Sequence, residues 1–595
     1  MAERARSFLL VPAGGAGEGM GHLARCLRLA TRLGPRVTFL TSHLDAGART
    51  FLEQRVRRWR NAHARPALLA SPEGRLRWDV VLVDRRRTSR PALEFLARHG
   101  TVICVDEGGE ARDFAPFLVD TLPNPMTRSA ANVASPSLND LPPRARRKVR
   151  SPARKVLLSF GGEDREDLAG RLAAALLRER IFPEARVTVV EGPLSARRTW
   201  PEGIEIIRGV AGLREILAQF DLVFTHFGLT AYEALAAGVP VVLLNPTAYH
   251  RDLGVAAGMP EIGVGEPDLR LLRRLRDDPR ALGDPVNRLN RELGAAREGR
   301  LAELLLSLDL ASRSSCPVCA AAGNTAVARF PERTYWRCAR CGIDYLQGFS
   351  AARTEYGRGY FFSEYRAQYG RTYLEDFSAI KEACRPRVQT IARLLDGRGA
   401  GALVDVGCAY GPFLDAARDA GLPCFGIDVS ADAVAYVRKR LGIPAARASF
   451  EMAGRRLLPR RILAISFWYV IEHFRDTDMA LRKAAALLPR GGVLAFSTPN
   501  GRGISARKDL REFLRQSPPD HFTIFSPRGL RALLAGHGFD LKVVRVTGHH
   551  PERFPGALGK AARASRAGFL VLRAASRLLG LGDTFEAYCV KGETG

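Results

Sequence analysis

Four of the ten cysteines form two matched pairs, Cys316/Cys319 and Cys338/Cys341. Two residues separate the members of each pair, and 18 residues separate the pairs. Four thiolates at this spacing can surround one tetrahedral Zn²⁺ and leave no open position for water. The spacing therefore predicts a structural zinc site, not a catalytic one. Coincidental buried cysteines, a redox pair and a nucleic-acid-binding zinc ribbon are the alternatives.

A glycine-rich loop precedes a helical pattern in GEGMGHLARCLRLA, residues 17–30. Its glycines, including Gly21, allow backbone amides to approach a phosphate at the N-terminus of the helix. His22 stands at the mouth of this loop, where a neutral imidazole can act as a general base. Arg25, one turn further, can pair with a phosphate or a carboxylate. A tight turn that holds a structural histidine is the alternative.

Two more glycine-rich junctions follow later strands, SFGGED at 159–164 and THFGLTAYEALAAGVPVVLLNP at 225–246. Gly161 and Gly162 end the first of these strands. Gly228 and Thr230 are expected to begin a helix whose amides face a cleft. We expect Glu233 in the first turn of that helix, where its carboxylate can accept hydrogen bonds from a ribose diol. A helix end with Glu233 complementing the dipole is the alternative.

The segment LVDVGCAYGPFL, residues 403–414, ends a strand and opens a helix, and FGIDVS follows as the next strand. Asp405, Gly407 and Gly411 resemble the first motif of class I S-adenosylmethionine (SAM) methyltransferases, with Ala409 in place of the usual middle glycine. Asp428, 23 residues after Asp405, ends the second strand. A carboxylate there can accept both ribose hydroxyls of the cofactor. A nicotinamide-dinucleotide site is the alternative, but the GxGxxG spacing is missing.

Short apolar runs that alternate with amphipathic stretches would position these residues. Such alternation predicts an α/β fold with doubly wound parallel sheets, whose ligands lie at the carboxyl ends of the strands. We predict a two-lobed N-terminal half, a zinc unit and a C-terminal Rossmann-like domain, divided at 1–150, 151–310, 311–350 and 351–595. The buried strands are predicted in 7–13, 36–41, 79–84, 101–106, 155–162, 185–192, 221–228 and 239–245, then near 402, 424, 465, 493, 539 and 583.

The first half resembles a known enzyme family over about residues 7–265. GMGHLARCLRLA, VLLSFGGED and LTAYEALAAGVP are similar to the nucleotide-sugar hydrolase of pseudaminic acid biosynthesis. That family shares the two-lobed GT-B fold with a group of glycosyltransferases. The resemblance implies that His22 activates water and that the second lobe binds the UDP of the donor. The chain departs from the family at 227–230 and at 249–250, so hydrolysis and glycosyl transfer both stay open.

The second half resembles sugar C-methyltransferases, in which a zinc unit precedes a SAM-binding domain. YFFSEYRAQYG, residues 360–370, is similar to the aromatic cap between those parts. Methylation of carbon needs a base that removes a proton next to a ketone. His473 and His521 are the best candidates, with Glu472 and Tyr469 as second choices. O-methylation needs the same kind of base, so it stays an alternative.

The charge of the chain is strongly basic, because 90 Lys and Arg oppose 62 Asp and Glu and give a net charge of +28. Arginine is scattered through every segment, whereas a nucleic-acid binder concentrates its charge on one face. No specific nucleic acid is therefore expected, and a zinc-ribbon RNA methyltransferase is a minor alternative. Residues 551–580 form a basic, amphipathic insertion that we expect to pack on its own domain. Contact with an anionic membrane surface is the alternative.

Together these features predict a bifunctional enzyme of surface-glycan or nucleotide-sugar biosynthesis. Its cofactors would be SAM and Zn²⁺, and its substrate a UDP- or TDP-linked sugar or a lipid-linked glycan. The dispersed remaining cysteines do not form a disulfide framework. No apolar run is long enough to span a membrane. We therefore expect a cytoplasmic protein, with the inner face of the membrane as an alternative place. A first half that has lost catalysis and only binds ligand also stays open.

Overall fold

The structure is a computed structural model that describes most of the chain. Loop residues Gly17 and Gly19, much of the connector at 125–153 and most of its basic run lie outside the described residues. The described ranges are 5–15, 18, 20–59, 61–72, 76–123, 129–142, 152–192, 195, 198–208, 212–277, 300–312, 314–350, 359–395 and 399–592. Two compact units divide the chain, Met1–Leu310 with Arg329–Glu332, and Ala311–Ala328 with Arg333–Gly595. The finer predicted boundaries stay predictions.

The first unit contains two fully parallel sheets, as the alternation of strands and helices predicts. The first sheet has the order β3-β2-β1-β4-β5-β6-β7. Its two central strands, Phe8–Pro12 and Val80–Asp84, are buried on both faces, as is usual where helices cover a parallel sheet. Its elements are β1 (Phe8–Pro12), α1 (Gly21–Ala30), β2 (Val37–Leu40), α2 (Ala46–Arg57), β3 (Ala67–Leu69), β4 (Val80–Asp84), α3 (Arg90–Ala97), β5 (Thr101–Val105), β6 (Phe117–Asp120) and β7 (Val133–Ala134).

The second sheet of this unit has the order β10-β9-β8-β11-β12-β13. In both sheets the strand order reverses beside the first strand, which makes a crevice at the carboxyl ends of the strands. The elements are β8 (Lys155–Leu158), α4 (Leu168–Arg178), β9 (Arg186–Glu191), β10 (Ile204–Arg208), α5 (Leu213–Ile216), β11 (Leu222–Thr225), α6 (Leu229–Ala236), β12 (Val241–Asn245), α7 (Ala248–Ala256), β13 (Glu261–Val264), α8 (Leu269–Asp277) and α9 (Arg300–Ser307).

The second unit begins with the cysteine pairs and a small antiparallel sheet and continues as a Rossmann-like domain. Its strands are β14 (Thr325–Phe330), β15 (Arg333–Arg337), β16 (Asp344–Gly348), β17 (Ala402–Val406), β18 (Cys424–Asp428), β19 (Ala445–Arg447), β20 (Ile462–Trp468), β21 (Val493–Pro499), β22 (Thr523–Ile524), β23 (Phe539–Thr547) and β24 (Thr584–Lys591). The small sheet has the order β14-β15-β16-β22, and the large one β19-β18-β17-β20-β21-β24-β23. Strand β24 runs antiparallel to both of its neighbours.

The helices of the second unit flank the large sheet or form insertions at its edge. A π-helical turn at Tyr360–Glu364 precedes them. The helices are α10 (Tyr365–Tyr369), α11 (Phe377–Leu394), α12 (Pro412–Asp419), α13 (Ala431–Lys439), α14 (Thr477–Leu487), α15 (Ile504–Lys508), α16 (Leu510–Gln516), α17 (Leu530–Ala535), α18 (Gly556–Ala564) and α19 (Arg566–Leu578). Within the described part of the chain, no helix combines the length and the hydropathy needed to cross a bilayer.

One hydrophobic core joins the cysteine unit to the large sheet. Cys316, Trp336 and Cys338 are buried in the same cluster as Ile465 of β20 and Phe496 of β21. The shared core implies that the cysteine unit is part of the Rossmann-like domain's packing and not a separate appendage.

Candidate functional sites

The loop after β17 turns sharply before α12. Gly407, Ala409 and Gly411 have φ values of +68°, +49° and +83°. Glycine suits these left-handed positions, whereas Ala409 adopts one at a modest cost. The methyl group of an alanine at 407 would lie 2.4 Å from Val470 Cγ2. The loop therefore needs glycine at 407 for space as well as for conformation.

Asp428, at the end of β18, faces this loop. Its Oδ2 accepts a hydrogen bond from the Ala409 amide and its Oδ1 one from the Ser430 amide, both at 2.8 Å. The carboxylate is buried, and burial raises its pKa. Each oxygen keeps acceptor capacity for a further hydroxyl donor. These two acceptor oxygens fit the ribose hydroxyls of SAM, so Asp428 and the loop could hold that cofactor.

Asp405 lies one layer deeper, within β17. The hydroxyl of Ser466 donates to its Oδ1 at 2.7 Å. Burial raises the pKa of Asp405 to about 7. The structure thus places Asp405 beneath the loop, in the strand that carries it, while Asp428 lies beside the loop.

Aromatic side chains pack on Tyr410, in the middle of the same loop. The ring of Phe361 lies 5.1 Å from that of Tyr410, perpendicular to it, and Tyr436 lies 5.2 Å away on α13. Tyr373 packs against Phe361 at 5.4 Å. Phe361, from the aromatic segment that the sequence singles out at 360–370, therefore packs on the loop that could hold SAM.

His473 and His521 lie together at the carboxyl edge of the large sheet. Their rings are perpendicular, with centroids 4.6 Å apart. Potential ligand atoms of Glu472, His473 and His521 all lie within 4.8 Å of one another. These two histidines and one carboxylate can act in proton transfer, and they could also hold a divalent metal. Tyr469, the other second choice, is partly exposed at φ +57°.

The three members of this cluster have pKa values that are shifted in different directions. Burial lowers the pKa of His473, but its hydrogen bond to Asp520 and the charges of Glu472 and Asp520 outweigh that, so the pKa lies above its ordinary value. The Nδ1 of His473 is 3.4 Å from Asp520 Oδ2. Burial, and then His473, lower the pKa of His521 to about 3. Burial raises the pKa of Glu472 to about 7. At neutral pH, His521 is therefore uncharged.

Asp520 is a residue that the sequence analysis did not single out, although it directly precedes the candidate base His521. It lies on the segment that enters β22, and β22 pairs with β16 of the small sheet. The Phe522 amide donates to the Glu472 carbonyl at 2.7 Å, and the Leu346 amide of β16 donates to the Phe522 carbonyl at 2.9 Å. The small sheet thus holds both sides of the histidine cluster in place.

The four predicted cysteines converge. Cys316 Sγ lies 3.6 Å from Cys341 Sγ, and Cys319 Sγ lies 3.5 Å from Cys338 Sγ. Tetrahedral zinc with Zn–S bonds of about 2.3 Å separates its sulfurs by about 3.8 Å. All four sulfurs lie within 4.8 Å of one another, and all four cysteines are free thiols. The set fits a Cys₄ zinc site.

The two cysteine turns have the same backbone geometry. In the first, the Ala320 amide donates to the Cys316 carbonyl at 2.9 Å, and in the second the Gly342 amide donates to the Cys338 carbonyl at 2.9 Å. Both donor residues are left-handed, with φ of +56° and +71°. Two zinc knuckles require the same turn on both sides of one cluster, and these two turns meet that requirement.

In the first unit, His22 is the second residue of α1, directly after Gly21. Its Nδ1 lies 2.6 Å from Oδ1 of Asp84, at the end of β4. Arg25 donates from Nε to Asp84 Oδ2 at 2.8 Å, and its Nη1 is 2.7 Å from Asp106 Oδ2. Burial raises the pKa of Asp84, but Arg25 and His22 lower it more, so Asp84 stays ionised. Arg25 is thus occupied by carboxylates of its own unit.

The loops of the second sheet meet α1. A methyl group on Gly162 would lie 2.6 Å from Met20 Cγ, the residue before Gly21. Gly161 has φ +84°, and a methyl group there would approach His226 Nε2 at 3.2 Å. The structure therefore brings Met20, from the first glycine-rich loop, next to Gly162 of the loop at 159–164.

Helix α6 begins at Leu229, with Gly228 as its N-cap and Thr230 as its second residue. Glu233 is the fifth residue, so the expectation that it lies in the first turn is wrong; the helix starts one residue earlier than a first-turn position would need. Glu233 is buried, and its Oε1 is 3.7 Å from Arg28 Nη2. Burial raises its pKa. The ion pair between Glu233 and Arg28 therefore competes with the predicted hydrogen bonds from a ribose to Glu233.

A second histidine pair lies near these loops. The His226 and His250 rings are 5.8 Å apart, and Arg86 stacks on the Tyr249 ring at 5.3 Å. Burial, then His226 and Arg86, lower the pKa of His250 to about 4. Sequence reasoning noted Tyr249 and His250 only as departures from a family pattern. Their position after β12 was the signal that could have placed them beside the cleft.

Comparison with known proteins identifies part of the second unit. A family model described as "Methyltransferase domain" matches residues 358–544. A SAM-dependent methyltransferase of Archaeoglobus fulgidus is 14% identical in sequence, with a TM-score of 0.28, over 38% of this chain and 98% of that one. The geranyl diphosphate C-methyltransferase of Streptomyces coelicolor is 15% identical, with a TM-score of 0.24, over 35% of this chain and 77% of that one.

The family match thus assigns a methyltransferase domain to residues 358–544, which confirms that part of the prediction. One curated protein, the uncharacterized protein MJ1062 of Methanocaldococcus jannaschii, is 29% identical over 117 residues. That match spans 18% of this chain and 24% of the relative's length.

Proposed function

We propose that the second unit transfers a methyl group from SAM to a sugar substrate, at carbon or at oxygen. The observation that carries this proposal is the cluster of Glu472, His473 and His521 beside the loop of Gly407. Val470 contacts that glycine and stands three residues before His473. A proton acceptor thus lies next to the pocket that would hold the methyl donor.

Bound SAM supplies an electrophilic methyl group. Asp428 would accept hydrogen bonds from the ribose hydroxyls, and the 407–411 loop, which includes Tyr410, would contact the nucleoside. The Nδ1–H of His473 would donate a hydrogen bond to Asp520, which leaves Nε2 to accept a proton from the substrate. Because His521 is neutral, it can donate a hydrogen bond to a developing oxyanion without carrying charge. The cysteine unit, loaded with zinc, would keep Asp520 and His521 in place.

The test is incubation of the whole protein with SAM and a panel of UDP- and TDP-linked sugars. S-adenosylhomocysteine and methylated product are measured by mass spectrometry. His473→Ala is expected to lower turnover by a factor of about 10² to 10⁴ and to leave SAM affinity unchanged. Asp428→Ala is expected to weaken SAM binding. If both variants turn over as the wild type does, the proposed assignment is wrong.

Carbon and oxygen methylation can be separated in heavy water. A base that forms an enolate exchanges the proton next to the ketone with solvent, even when S-adenosylhomocysteine replaces the donor. Deuterium uptake that depends on His473 would favour C-methylation. Methylated product without such exchange would favour O-methylation.

We further propose that the first unit binds a nucleotide-sugar and cleaves or transfers its sugar. Two adjacent parallel-sheet lobes agree with the GT-B resemblance, and the 2.6 Å contact between His22 and Asp84 supports a general base. Asp84 would hold the Nδ1 proton, so that His22 Nε2 can activate water or an acceptor hydroxyl. Amides near Gly161, Gly162 and Gly228 would face the phosphates. Release of free nucleotide that His22→Ala abolishes would support this activity.

The partners follow from the two proposed reactions. Both units would work on one surface-glycan pathway, since fusion raises the effective concentration of one site near the other. If nucleotide-sugars bind to the first unit but are never cleaved, the unit is a binding module. RNA binding with a steep salt dependence would favour the RNA methyltransferase instead.

A further inference from the structure

A helical insertion separates the last two strands of the large sheet. It runs from the end of β23 to the start of β24 and contains α18 and α19. Of the 13 residues of α19, only Ser576 is buried. The helix therefore leaves most of its surface without cover from its own domain.

The uncovered surface of α19 is apolar along one line. Leu570, Val571 and Leu578 have 54%, 67% and 88% of their surface exposed. Ala567 and Ala574 are exposed at the same helical spacing, so these residues share one face. Leu558 on α18 adds a further exposed side chain, at 51%. Exposed leucines grouped in this way mark an interaction surface.

The charge around this apolar face has a single sign. No acidic residue occurs from Phe554 to Gly582, whereas this stretch contains Lys560, Arg563, Arg566, Arg573 and Arg577. All five basic side chains are exposed. On α19 the three arginines recur at helical spacing and flank the apolar face on one side. The surface thus offers leucines to an apolar phase and arginines to anionic groups beside it.

We propose that α18 and α19 form a docking surface for an anionic lipid bilayer, with α19 lying in the plane of the interface. Buried leucines and flanking arginines are the two contributions that hold such helices at membranes. A second copy of the chain fits less well, because a two-fold contact through this face would bring arginines against arginines.

The insertion lies at the edge of the large sheet where the parallel strands have their carboxyl ends. Thr584, where β24 begins, pairs with Pro499 at the carboxyl end of β21. The candidate methyl-transfer residues lie at the same edge, since the carboxyl ends of parallel strands face one way. A bilayer bound to α19 would therefore be on the side from which the substrate enters. The docking proposal itself does not depend on which substrate is methylated.

The test is flotation of the whole protein with phosphatidylcholine vesicles and with vesicles that also contain phosphatidylglycerol. The wild type is expected to float with the anionic vesicles and to dissociate as the salt concentration rises. Arg566→Gln/Arg573→Gln/Arg577→Gln is expected to weaken binding on the order of 100-fold, from several-fold for each basic residue. Leu570→Ser/Val571→Ser/Leu578→Ser is expected to abolish flotation.

Matched controls change the same chemistry elsewhere on the second unit. Lys439→Gln/Arg440→Gln/Arg456→Gln removes three exposed charges, and Met452→Ser/Leu457→Ser removes exposed apolar side chains; neither should alter flotation. Melting curves verify that every variant is folded. The proposal is overturned if the wild type floats with neither vesicle, or if the insertion variants float as it does. It is also overturned if light scattering shows a dimer that the leucine variant dissociates.

Discussion

Loss of the Cys₄ metal site should reduce methyl transfer far more than it reduces SAM binding. The perturbation is Cys319→Ser/Cys341→Ser, which changes the two half-buried members of the set and leaves the two core thiols in place. The small sheet next to the cysteines holds the segment that carries Asp520 and His521. The loop at 407–411 follows β17 and Asp428 ends β18, and both strands belong to the large sheet and not to the small one.

The expected fall in kcat follows from three hydrogen bonds between this segment and the small sheet. Arg333 donates to the carbonyls of Ser517 at 2.9 Å and Arg515 at 2.6 Å. The Leu346 amide donates to the Phe522 carbonyl at 2.9 Å. At a net value of about 1 kcal/mol each, they stabilise the segment by about 3 kcal/mol. Since about 1.4 kcal/mol is tenfold in rate, their loss should lower kcat on the order of 100-fold.

The assay measures zinc content by mass spectrometry, kcat by S-adenosylhomocysteine formation and SAM affinity by calorimetry. Arg333→Gln removes two of the three bonds without touching the metal site, so it should lower kcat by about 30-fold. Cys424→Ser changes a half-buried thiol outside the set and should have no effect. The reasoning is refuted if the zinc-free protein keeps its kcat, or if SAM affinity falls as far as kcat does.

Three further outcomes are expected. With deprotonated His473 as the proposed base, methyl transfer should rise with pH through its pKa. Asp520→Asn removes a charge that raises this pKa, so it should move the rise to lower pH in a pH–rate profile. Asp84→Asn should lower nucleotide release by a factor on the order of 100, since His22 would lose the group that orients it, while methyl transfer stays unchanged. Gly407→Ala should weaken SAM binding at least about tenfold in calorimetry, because a left-handed alanine costs about 1–2 kcal/mol and the new methyl group would overlap Val470.

Each of these outcomes has its own control. His473→Ala should erase the pH dependence that Asp520→Asn only moves; an unmoved profile in Asp520→Asn would contradict the assignment of the base. Gly421→Ala carries the same backbone cost at φ +75° with open space around it, and should leave SAM affinity unchanged. If Gly421→Ala weakens SAM binding as much as Gly407→Ala does, the contact with Val470 is not the reason.

Most strands could be predicted from the sequence because each is a local pattern. Runs such as FLLVP and VVLV are apolar without interruption, and a chain buried on both faces of a parallel sheet needs only that. The glycines at 407 and 411 were predictable for a related reason, since a tight strand-to-helix turn needs left-handed residues. The cysteine spacing likewise predicted one four-sulfur cluster, because a Cys-x-x-Cys turn is a local structure.

The contacts that orient the candidate bases were not predictable from spacing. His22 and Asp84 are 62 residues apart, and only the parallel pairing of β1 with β4 brings them to 2.6 Å. Asp520 lies beside His473 because β22, a two-residue strand, joins the small sheet instead of the large one. A strand of two residues has too short a hydrophobic pattern to predict the strand with which it pairs.

The sequence by itself predicted the alternating strands and helices, the two Cys-x-x-Cys turns and the glycine-rich turn at 407–411, because each depends on residues within about one turn or one strand. Tertiary structure alone decided which carboxylates face the histidines, that Glu233 pairs with Arg28, and that α19 leaves its leucines exposed. The physical reason is that these features depend on the free energy of packing between distant segments, and the distance along the chain does not encode it.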